Sequence, residues 1–137
     1  MVHRHRRQKT ERRTPGLGVS PHLAGLRVSG RLWIESGDET FLSWGRIVLL
    51  ERIREHGSIS AAARSMEMSY RHAWALCDAM NQLAPKPLVE MATGGHRGGG
   101  AKLTATGEAA IAEFWRLAQE FRLWLAKRSL RLGKGAK

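Results

Sequence analysis

Ser69, Tyr70, Arg71 and His72 put four consecutive hydrogen-bonding side chains at the opening of one predicted helix. An arginine fork can donate to O6 and N7 of a guanine together, and serine, tyrosine and histidine can reach bases or phosphates. A second group, His96 and Arg97 inside GGHRGGG with Lys102 just behind it, offers donors suited to phosphates or a minor groove. Arg64 and Ser60 are further candidates for backbone contacts. Bond-making chemistry finds less support. The single cysteine, Cys77, falls on the apolar side of its helix, and the six histidines lack zinc-site spacing. Gly100 is followed by Ala101, Lys102 and Leu103 rather than by Lys and Ser or Thr, which rejects a nucleotide-binding P-loop. With neither paired carboxylates nor a nucleophile–base arrangement, the chain reads as a binding protein, not an enzyme, with no metal and no cofactor of its own.

The elements that must position these groups lie between Gly57 and Gln82. Ser58 or Ser60 can cap a short helix containing Ala61, Ala62 and Ala63, whose small side chains let a second helix cross closely. Met66, Glu67 and Met68 supply a turn, and Ser69 can cap a longer helix to about Gln82. On that helix Ala73, Leu76, Cys77 and Met80 share one side, while Arg71, His72, Ala75, Asp78 and Gln82 share the other. Two helices with a free polar face on the second form a helix-turn-helix, although the turn lacks the usual glycine. Tyr70 and Trp74 also admit a structural role, and Arg64 could pair with Glu67 three residues on.

The flanks supply the rest of the fold. Residues 26–35 alternate well enough for a short strand that needs a partner elsewhere, with turn chemistry in SGDE. From Ser43 or Trp44 to His56, the residues Trp44, Ile47, Val48, Leu50 and Ile53 follow helical spacing, with Gly57 as a left-handed stop and Trp44 expected in the core. Residues 88–93 and 101–104 are the expected arms of a hairpin whose tip holds five glycines in seven residues. That hairpin is either plain or a wing. Thr104 can cap a last helix from about Ala105 to Leu130, about 40 Å long. Its stripe, Ile111, Phe114, Ala118, Phe121 and Leu125, is expected to pair with a second chain.

The formal net charge of +11 is unevenly spread. Residues 1–13 hold six Lys or Arg against one Glu and residues 126–137 hold five against none, leaving twelve against eleven between them. The middle is therefore nearly neutral, and the basicity belongs to tails that could attract any polyanion. Residues 1–24 are expected to be a disordered basic arm, residues 25–104 the DNA-binding domain, residues 105–132 the dimerisation helix and residues 133–137 a basic tail. Lacking a membrane-spanning run or signal-peptide apolar region, the protein is expected in the cytoplasm.

GSISAAARSMEMSYRHAWALCDAMNQL followed by PLVEMATGGHRGGGAKLTATG resembles the N-terminal DNA-binding domain of the ModE family of molybdenum-responsive bacterial regulators, a relative of the LysR-type winged helix-turn-helix. The likeness covers about residues 30–130. It rests on GSIS with its alanine run, SYRHAW followed by MN, and TGG-x-x-GGGA-x-LT-x-x-G. The resemblance implies a mostly α fold with a small β component: a winged helix-turn-helix with a β-hairpin wing and a long C-terminal dimerisation helix. It implies further that Ser69, Tyr70 and Arg71 open the recognition helix, that Trp74 packs at its edge, and that a homodimer reads a palindromic operator. Full-length members carry C-terminal molybdate-binding modules, which this sequence lacks, so any molybdate response is expected through another protein. The expected partner is double-stranded DNA. Alternative readings are a nonspecific architectural nucleic-acid binder driven by the tails, and a dimerisation partner of a separate molybdate-sensing regulator.

Overall fold

The computed structural model describes residue 23, residues 25–92 and residues 100–133. They belong to two compact units, one of residues 29–124 and one containing residues 125–133 with the described part of residues 1–28. Apart from Leu23, the expected N-terminal arm lies outside the described residues, as do residues 134–137.

The larger unit begins with a hairpin of β1 (Ile34–Ser36) and β2 (Glu39–Leu42), paired antiparallel from Ile34↔Leu42 to Ser36↔Glu39. Its two-residue loop needs a left-handed first position, which Gly37 supplies at φ 60°. The partner that the first strand requires is thus the segment directly after the turn. Residues 26–33, expected to extend that strand, have no ladder, because β2 gives way to the next helix after four residues. Strand pairing ends where the partner ends.

Helix α1 (Trp44–His56) is capped by Ser43, whose side chain accepts from the Arg46 N–H, and stops at Gly57 with φ 73°. Ile47, Leu49, Leu50 and Ile53 are buried and form the centre of the core. Trp44 is a correction: it is 62% exposed, its ring edge-on to Trp115 with centroids 4.6 Å apart. At the first helical position it lies beyond the neighbours that would cover it. Helix α2 (Ile59–Ser65) takes Ser58 as its cap, with the Ala61 N–H donating to Ser58 Oγ at 3.1 Å. Ala62 and Ala63 are buried in α2, which packs against both α1 and α3 (Tyr70–Leu83). In the turn Glu67 takes the left-handed conformation, φ 54°, usually left to glycine, while the Met68 N–H returns to the Ala63 carbonyl at 2.9 Å.

The second hairpin joins β3 (Val89–Met91) to β4 (Ala101–Leu103) in register Val89↔Leu103, Glu90↔Lys102, Met91↔Ala101. The other side of β4 is also used: the Ala101 N–H donates to the Gly57 carbonyl at 3.0 Å, and Ser58 bridges Gly100. Helix α4 (Ala105–Gly133) begins at Thr104, whose Oγ1 accepts from the Gly107 N–H. Ile111 and Phe114 are 5% and 1% exposed and lie in this chain's own core. Their expected place in a subunit interface is therefore corrected: the stripe first closes its own domain. Ala118 also packs against the core. The result is a mostly α winged helix-turn-helix with a small antiparallel hairpin and a long C-terminal helix.

In the smaller unit, Ser129 Oγ accepts from the Val28 N–H and donates to the Leu125 carbonyl, both at 2.8 Å. No helix of the described residues is long and apolar enough to cross a membrane.

Candidate nucleic-acid interface

Helix α3 is oriented by what it buries. Ala73, Cys77 and Met80 are wholly buried on one side, so Arg71, Ala75 and Gln82 on the opposite side face solvent. Ser69, Tyr70, Arg71 and His72, the four residues singled out from the sequence, are all exposed on the first turn. Ser69 Oγ accepts from the His72 N–H at 3.1 Å, so its lone pair is committed to capping and its O–H remains a donor. The side chains of Tyr70, Arg71 and His72 make no hydrogen bond or ion pair with another described residue. An exposed arginine at a helix N-terminus adds its charge to the positive end of the helix dipole, which favours an anionic or acceptor-rich ligand.

Farther along, Asp78 is half-buried and accepts from Gln82 Nε2 at 2.9 Å. That carboxylate makes the second half of the face less suited to a polyanion, so the first half is the favoured contact. Two residues join the four. Ala75, one turn beyond Arg71, is exposed and small enough to let a helix approach a groove floor or meet a thymine methyl. Trp74 is 37% exposed beside it. Its spacing of four from Arg71 places Ala75 on the free face already in the sequence, but an alanine carries no chemical signal that would make it a candidate contact.

The remaining candidates divide. Arg64 is exposed and makes no ion pair with Glu67, while Ser60 is half-buried inside α2 rather than capping it. Lys102 is exposed on β4, with Glu90 directly opposite on β3, a charge that offsets part of its field. His96 and Arg97 lie outside the described residues. Among the described residues no group of three His, Cys, Asp or Glu could hold a metal ion. Desolvation by burial pushes the Cys77 thiol up to about 12, as expected of an inert core cysteine.

The structure also connects α3 to the hairpin. Asn81 Oδ1 accepts from the N–H groups of Leu88 and Val89 at 2.9 and 3.1 Å, and its Nδ2 donates to the Val89 carbonyl at 2.9 Å. On the other side of Leu88, its carbonyl accepts from the Thr104 N–H at 3.0 Å and faces Gly107, where a Cβ would stand 2.3 Å from that oxygen. Helix α3, the hairpin and α4 thus meet at one residue.

No protein-family model matches the sequence. Among known proteins, the chain is 39% identical over 112 residues to the molybdenum transport protein ModE of Azotobacter vinelandii, a match covering 82% of this chain and 42% of that relative. It is 49% identical over 69 residues to the molybdenum-pterin-binding protein MopA of Rhodobacter capsulatus, covering 50% of this chain and 26% of the relative. The DNA-binding transcriptional dual regulator ModE of Escherichia coli (strain K12) is 49% identical over 74 residues, covering 54% and 28%. The matches span less than half the length of each of these relatives. Together they support a molybdenum-related regulator family.

Proposed function

We propose that this chain is the DNA-reading part of a ModE-family transcriptional regulator, acting as a homodimer on a two-fold symmetric operator. The observation that carries this is the first turn of α3, where Tyr70, Arg71 and His72 stand exposed and uncommitted on a helix held by its opposite face. In this reading Arg71 donates to a guanine edge, and Tyr70, His72 and the Ser69 O–H reach neighbouring bases or phosphates. Lys102 and Arg64 contact phosphates on either side, with Ser60 and the hairpin's His96 and Arg97 as further backbone contacts. Dimerisation uses α4 beyond its core-facing turns: Phe121 and Leu125 are half-buried and Leu123 is 52% exposed. Any molybdate response reaches the chain through a separate molybdate-binding protein.

The similarity to a regulator named as DNA-binding supports the reading, as does the tie between α3 and the hairpin. Selection of binding sites from random duplex DNA tests it. The expected product is a palindromic consensus with half-sites about one helical turn, roughly 34–36 Å, apart or at multiples of it, unchanged by molybdate. Recovery of unenriched sequence would refute sequence reading, and an enriched asymmetric single site would refute the symmetric dimer.

A further inference from the structure

We infer that Asn81 is a positioning residue that fixes the pose of the β3–β4 hairpin against the recognition helix, and that through this pose it governs how much the hairpin adds to DNA affinity. The inference rests on the DNA-binding reading above. Asn81 lies in the last turn of α3, two residues before its end, away from the exposed first turn. Its amide is used on both sides: one oxygen takes two consecutive backbone N–H groups, and the nitrogen gives one bond back to the second of those residues. Such a three-point attachment sets a direction as well as a distance, because displacement of β3 in any sense lengthens at least one bond.

Leu88 and Val89 are each only 1% exposed, so water cannot replace a lost partner without opening the core. β3 carries β4 with it through their ladder, and β4 carries Lys102. One path from the recognition helix to the hairpin's cation therefore runs through this side chain and one strand pair, beside the separate anchoring of β4 to Gly57 and Ser58. No other asparagine lies in the chain, and no side chain with different hydrogen-bonding groups reproduces the pattern: aspartate keeps the two acceptances and loses the donation, while alanine loses all three.

The test is a double-mutant cycle on binding of the 137-residue chain to a duplex, with the salt dependence measured for each variant at a temperature where circular dichroism shows all of them folded. In the parent, Lys102→Ala should weaken binding about fivefold at 0.1 M salt and lower the salt slope by about one. In an Asn81→Ala background Lys102→Ala should have less than a twofold effect, while Arg71→Ala keeps the factor it has in the parent. Asn81→Asp, which retains two of the three bonds, should lie between, and it serves if Asn81→Ala does not fold. Were Lys102→Ala to cost the same factor with and without Asn81, the residue would be a stabiliser only and the inference would fall. A parent indifferent to Lys102→Ala would overturn it differently, by removing the hairpin from the DNA contact.

Discussion

A methyl group added at Gly107 and one added at Gly45 should have opposite effects on stability, although both positions are helical. At Gly45 a Cβ meets nothing within 4 Å, so Gly45→Ala reduces the freedom of the unfolded chain and should stabilise by about 0.5–1 kcal/mol. At Gly107 the same Cβ would stand 2.3 Å from the Leu88 carbonyl oxygen, a backbone atom that cannot rotate aside. Restoring ordinary contact requires α4 and β3 to separate by about 1 Å, since van der Waals repulsion rises steeply at shorter range. That movement stretches the Thr104 N–H bond to Leu88, 3.0 Å long, and draws Ile111 and Phe114 outward from the core. Overpacking of about 1–3 kcal/mol plus one weakened buried hydrogen bond of about 1 kcal/mol, less a helix-propensity gain of about 1 kcal/mol, leaves a net loss of about 1–3 kcal/mol. At about 4–8 °C per kcal/mol for a domain of this size, thermal unfolding followed by circular dichroism should separate the variants by about 6 °C or more. Equal shifts, or a Gly107→Ala protein as stable as the parent, would refute the close approach of α4 to Leu88.

Three further outcomes follow from other parts of the fold. Cys77 should resist a thiol reagent at pH 8 in the folded protein and react on unfolding; because its folded pKa of about 12 lies above the unfolded value, its contribution to stability is complete below about pH 9 and is lost as pH rises from there toward 12, which urea titrations across that range would reveal. Glu67→Gly should leave stability unchanged or raise it by up to about 1 kcal/mol in urea denaturation, since relief of the left-handed strain offsets the added freedom of the unfolded chain, whereas Glu67→Val should lose more than about 1 kcal/mol. Glu90→Gln should strengthen duplex binding about threefold at low salt by removing the carboxylate opposite Lys102, an effect that added salt abolishes.

Local signals account for most of what could be read in advance. Ser43, Ser69 and Thr104 cap the helices they precede, and Gly57 ends α1, because capping and left-handed stops depend on residues within one turn. The exposed face of α3 was legible for the same reason, since a helical period is a local property. What escaped depended on neighbours distant in sequence. Trp44 lies on the apolar stripe of α1 yet remains exposed, its ring set edge-on to Trp115 far along the chain. Ile111 and Phe114 have the spacing of a coiled-coil seam, and only the folded core shows that they are already occupied. Glu67 enters the left-handed region without being glycine, in the turn that joins α2 to α3, and its residue type gives no sign of it. Asn81 carries no signal of its three bonds, for nothing in its spacing predicts that Leu88 and Val89 will come within reach.

The central claim, that the first turns of α3 are the surface that meets DNA, is tested most directly by titrating a duplex carrying the selected site into isotope-labelled protein and following backbone amide resonances. The account predicts that the largest changes cluster at residues 69–75, with a second set at Lys102 and its neighbours on β4, while the apolar turns of α4 stay quiet. Changes confined to the basic tails, with residues 69–75 unmoved at saturation, would contradict it.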